Sequence, residues 1–101
     1  MADEPLSIPL ADLRRSFDLV LRHIEAATPG DTVALDKDYF WSVPTEGLYD
    51  VYRAPDELTI GQLSESWQHL TDLLAEPDRA VGYHLVWLAD VLRAIGQDIA
   101  A

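Results

Sequence analysis

The side chains able to take part in chemistry are three histidines, eighteen acids and a few serines spread over 101 residues. A metal site needs two or more histidines converging with a carboxylate. His23, His69 and His84 fall one to each of three helical stretches, and no HxxxH or HExxH spacing occurs. His69 stands three residues before Asp72, and His23 is near Glu25. Helical projection puts His69 and His23 on polar faces and His84 beside an apolar stripe, so they read as surface or core histidines. No metal and no cofactor is expected.

Paired carboxylates do general acid–base work when burial raises one of them. The closest pairs, Asp36 with Asp38, Asp56 with Glu57 and Asp72 with Glu76, read as solvated charge on polar faces. Nucleophilic chemistry has little to work with. The chain has no cysteine, and no serine stands in a G-x-S-x-G elbow. Ser64 and Ser66 read as helix-start or surface residues. Gly61 and Gly82 are isolated, so no phosphate-cradling loop is present. No catalytic residue is assigned; an enzyme is left open but unsupported.

One stretch stands apart. Asp38 to Arg53, DYFWSVPTEGLYDVYR, holds Tyr39, Phe40, Trp41, Tyr49 and Tyr52, five of the nine aromatic residues. Tyr and Trp join a large contact area to a polar tip and concentrate at protein interfaces. The interleaved acids suit a basic partner. Tyr39, Trp41, Tyr49, Asp50 and Tyr52 are therefore the candidate interaction residues. The plainer alternative is that the rings, Trp41 and Phe40 above all, are core and pin a long connection down. Trp67 and Trp87, on or beside helical stripes, are expected in the core.

Eighteen acids against seven bases leave a formal charge of −11. Such a surface repels nucleic acid and anionic membrane. Arg14 and Arg15 are the only adjacent bases, too few for nucleic acid. The first residues, MADEPLSIPL, lack the basic and apolar regions of a secretory signal. The most apolar window, Tyr83 to Ile95, is short and broken by Asp90 and Arg93. A cytoplasmic protein is expected.

The elements that must position the aromatic stretch are helical, within a single domain over 1–101. Residues 1–7 read as a frayed tail. A first helix over 9–28 carries Leu10, Leu13, Phe17, Val20, Leu21 and Ile24 as one stripe, and Thr28-Pro29-Gly30 ends it. Residues 31–57 lack helical period. Val33 with Leu35, and Tyr39 with Trp41 and Val43, alternate like two short strands about an Asp36-Lys37-Asp38 turn. An ordered loop is the alternative. Thr59 and Gln62 have capping-box spacing for a second helix over 59–76, with Ile60, Leu63, Trp67, Leu70 and Leu74 as its stripe. Asp78 suits the N-cap of a third helix over 78–96, and Gly96 its C-cap. That helix is apolar over more than half its circumference and should be the most buried. The expected fold is mainly α: a three-helix bundle with a long aromatic insertion between its first two helices.

The run from Asp38-Tyr-Phe-Trp41 through Leu48-Tyr-Asp50 to Leu58-Thr-Ile-Gly-Gln-Leu-Ser64 and Trp67 resembles a group of small bacterial proteins of unknown function. The resemblance covers roughly a third of the chain. It implies that the aromatic stretch and the Gly61-Gln62 helix start form a unit, and it transfers no site residues.

Three functions fit these residues. The first is a small acidic protein–protein interaction or regulatory module, self-association included. The second is an immunity or inhibitor protein that neutralises a basic toxin or nuclease. The third is a small-ligand binder or enzyme with a pocket between the insertion and the third helix, using His84 and a tyrosine.

Overall fold

The computed structural model describes residues 5–100. Its elements run α1 (Leu10–Ala27), β1 (Tyr39–Ser42), α2 (Thr45–Leu48), β2 (Thr59–Gln62), α3 (Leu63–Ala75), a 3-10 turn (Pro77–Arg79) and α4 (Tyr83–Ala100). The protein is mainly α, with one two-stranded antiparallel sheet among the described residues. It divides into two compact units, Met1–Ala34 and Leu35–Ala101. The tail expected over 1–7 falls, for its first four residues, outside the described range.

The first unit is α1 and its flanks. The helix begins after Pro9, whose fixed φ suits a helix start. It ends at Thr28, whose hydroxyl donates to the Ile24 carbonyl at 2.7 Å. Gly30, at φ +85°, turns the chain away through the left-handed region that glycine adopts without penalty. The boundaries match the sequence reading to one residue.

The second unit departs from that reading in several places. The expected hairpin about Asp36–Asp38 does not form. β1 pairs instead with Thr59–Gln62, in the register Tyr39↔Gln62, Phe40↔Gly61, Trp41↔Ile60 and Ser42↔Thr59. The four residues read as the capped first turn of a helix are thus a strand, and α3 starts only at Leu63. Two side-chain facts favour the strand. Thr59 and Ile60 are β-branched, and Gly61 leaves room for a ring. A Cβ at Gly61 would lie 2.6 and 2.7 Å from Phe40 Cε2 and Cε1, so the Phe40 ring covers the bare glycine across the ladder. The segment 31–57, read as short strands or an ordered loop without helical period, contains the short helix α2 after Pro44.

α3 packs along α4 and also meets the 3-10 turn. Leu63, Ser66 and Leu70, one side of α3, are its buried residues. Trp67 is not core: it is 52% exposed, although it stands one turn after Leu63 and so flanks that face.

Asp78 does not cap a helix. Pro77–Arg79 closes a 3-10 turn in which the Arg79 N–H donates to the Glu76 carbonyl and the Arg79 guanidinium meets the Glu76 carboxylate at 2.7 Å. α4 begins at Tyr83 and runs through Gly96 to Ala100. Nor is α4 the most buried helix. It has no fully buried residue, and Leu85 is 71% exposed. Helix α3 is its main packing partner, and one neighbour cannot cover an apolar arc wider than half the helix. No helix among the described residues is long and apolar enough to cross a membrane.

Candidate functional site

The site begins at Asp38, the residue before β1. Its carbonyl accepts the Leu63 N–H at 2.7 Å. Its carboxylate accepts the Ser64 N–H at 2.7 Å, the Ser64 hydroxyl at 3.0 Å and the Gln62 side-chain amide at 2.8 Å. The first N–H groups of a helix have no partner within it, and here Asp38 satisfies two of them from 25 residues upstream of Leu63. The Gln62 amide, then the Ser64 N–H, hold the Asp38 carboxyl below the usual carboxylate range. One acid thus fixes the sheet to the start of α3 and sets the direction in which β1 presents its side chains.

β1 alternates. Phe40 and Ser42 are half-buried, while Tyr39 and Trp41 are exposed. Across the ladder from Trp41 stands Ile60, also exposed, so Tyr39, Trp41 and Ile60 make one open face. Trp41 is 69% exposed, which overturns the core reading of its indole. Tyr49 and Tyr52 are 83% and 98% exposed in the turns after α2. There Asp50 folds its carboxylate back to accept the Tyr52 N–H at 3.3 Å. All five candidate interaction residues are therefore on the surface. Tyr39 and Trp41 share a strand face, whereas Tyr49, Asp50 and Tyr52 stand on a separate, non-regular segment.

Two hollows flank these residues. One, of about 160 Å³, is rimmed by Glu46, Asp50, Asp56 and Glu57 with Arg53 the single base. The other, also about 160 Å³, lies between β1 and α4 and includes Tyr39, Trp41, Asp90 and Arg93. His84 is not in it. His84 sits at the start of α4, where its Nδ1 accepts the Val81 N–H at 2.9 Å, and it borders a different hollow with Asp72 and Arg79. The hollow beside β1 thus lacks the His84 expected of a ligand pocket there, and its polar groups include Lys37, Asp90, Arg93 and Gln97. Asp90 also accepts the buried Ser66 hydroxyl at 3.2 Å. Burial pushes its carboxyl above the ordinary value, against the pull of Ser66 and Arg93.

Sequence reasoning missed an aromatic cluster on the α3–α4 pair. The His69 ring stacks on Trp87 at 3.8 Å and 13° between planes, with Tyr83 and His84 edge-on to the same indole. Two of the three histidines are thus ring partners of one tryptophan. The spacing of Tyr83, His84 and Trp87 on one helix was a usable signal; the arrival of His69 from α3 was not. Among the described residues, no three His, Asp or Glu side chains converge as a metal site would require.

No protein-family model, curated protein or solved structure matches the chain.

Proposed function

We propose that this chain is a small acidic protein–protein interaction module whose contact surface is the aromatic segment from Tyr39 to Tyr52. The observation that carries it is the exposure of Tyr39, Trp41, Tyr49 and Tyr52, each at least two-thirds open to solvent, beside a side chain frame tied down by Asp38. Large rings left open to solvent, two of them on the strand that Asp38 fixes, are the composition of interface hot spots. The net charge of −11 favours a basic partner and disfavours nucleic acid or anionic membrane. The cytoplasm and a bacterial source belong to the same proposal, as does kinship with the small bacterial family whose pattern β1 and β2 carry. So does the three-helix bundle, whose support is the apolar stripes of α1, α3 and α4.

The test uses the tagged chain purified from the cells that make it. A stoichiometric protein partner is expected. Tyr49→Ala and Tyr52→Ala should each weaken its binding by about 2 kcal/mol, a roughly thirtyfold rise in Kd, with helical circular dichroism unchanged. Equal partner recovery by the double variant would sink the proposal.

A second reading is an inhibitor or immunity protein that covers the basic site of a toxin or nuclease. The four acids around the hollow at Arg53 favour it. Its signature is an association rate that falls steeply with salt while Tyr49→Ala and Tyr52→Ala leave binding unchanged; loss of binding with those two substitutions supports the first.

A further inference from the structure

A sheet of two strands has two open edges, and the edge of β1 faces a groove. Tyr39, Phe40 and Trp41 all border the cavity between β1 and α4, while no residue of β2 does. Consecutive strand residues alternate between faces. A hollow that touches all three and misses the paired strand therefore runs along the free edge of β1. Its far wall is Asp90, Arg93, Ala94 and Gln97 of α4, with Leu63 as a further apolar contact. Among the described residues, the backbone groups of Tyr39–Ser42 make no backbone hydrogen bond beyond the ladder with β2.

We propose that this groove takes an extended, basic segment of a partner protein, which adds as a third strand along the free edge of β1 and places one apolar side chain against α4. The inference rests on the interaction reading above and names the partner's form. Strand addition draws its affinity from main-chain hydrogen bonds and its selectivity from pockets for alternate side chains. The groove encloses about 160 Å³, near the ~150 Å³ that holds a benzene-sized guest. That fits one leucine or phenylalanine side chain and is small for a free ligand, whose pockets start at about 300 Å³.

Charge selects the rest. The groove's own bases have acids beside them: Lys37 lies 3.9 Å from Asp98, and Arg93 acts on Asp90. The anchor position is therefore uncharged. Outside it, the −11 excess favours lysine or arginine on either side of the anchor. Exposed Trp41 and Tyr39 offer ring faces to those cations. A second copy of this chain is the poorer occupant, because it brings another −11 to the same surface.

The test is a panel of peptides of about eight residues, each with one leucine, phenylalanine or tyrosine between arginines or lysines. Every peptide is paired with two analogues, N-methylated at odd or at even positions, which keep the charge and remove alternate N–H donors. An added strand uses only one of the two sets. The expected result is that the tightest peptide loses about tenfold or more in affinity in one analogue and little in the other. Filling the groove with Ala94→Trp should abolish its binding while helical circular dichroism is kept; if that variant unfolds, Gln97→Trp serves instead. Three results overturn the proposal: no peptide in the panel binds, both analogues bind like their parent, or binding survives the filled groove. If the native partner is lost with Tyr49→Ala and Tyr52→Ala yet retained by the filled variant, the interaction reading stands and the groove is not its seat.

Discussion

Phe40 and Gly61 show how far a single position can be held by its neighbour. The ring lies where a side chain at 61 would go, with three of its carbons under 3.0 Å from the Cβ an alanine would bring. Phe40 is half-buried on its strand and is held there by the ladder. Gly61→Ala should therefore displace the ring and destabilise the second unit by about 1–3 kcal/mol, the usual range for overpacking. Chemical denaturation with a circular dichroism readout measures it, and an unchanged midpoint would mean that the ring moves aside freely. Glycine at 61 was legible in sequence only as an isolated residue. Its partner, Phe40, lies 21 positions away, and nothing local to either residue encodes the contact. At the same scale Tyr49 and Tyr52 are open to solvent, and the exposure of Trp41 corrects the core reading of its indole. Strand alternation placed Trp41 on the same face as Tyr39, but could not say which face would be covered.

The start of α3 depends on an acid from before β1. Thr59, Ile60, Gly61 and Gln62 have the spacing of a capped helix start, and in isolation that reading is sound. It loses because Asp38 satisfies the N–H groups of Leu63 and Ser64 while β1 occupies the ladder positions of 59–62. Asp38→Ala should lower the thermal midpoint, more than Asp36→Ala does as a control. The pH dependence has a definite sign. The folded carboxyl is held below its ordinary value of 3.8, so its contribution is complete above that value and is lost as pH falls through the lower folded one. Wild type and Asp38→Ala should differ at neutral pH and converge in strong acid. A gap that persisted there would show that the charge is not what acts. α1 was readable to its ends because its stripe, its proline start and its Thr-Pro-Gly stop are all local. α4 was readable as a helix but not at its ends, since Pro77–Arg79 closes a turn before it and Gly96 sits inside it.

At the scale of the whole molecule, charge is the one property fully legible from composition. Eleven uncompensated negative charges act on any partner before contact is made, and salt weakens them over a Debye length of about 8 Å at physiological strength. Burial was the least legible property. Amphipathic periodicity says which side of a helix is apolar, not how much of it a neighbour covers, and the chain leaves Trp41, Trp67 and Leu85 open. Under the function proposed above, another protein meets the chain at the aromatic segment. Hydrogen–deuterium exchange on the chain, alone and in the complex recovered with it, reads that directly. Protection on binding is predicted over Tyr39–Tyr52. Protection confined to α1, or none at all across the aromatic segment, would contradict the account.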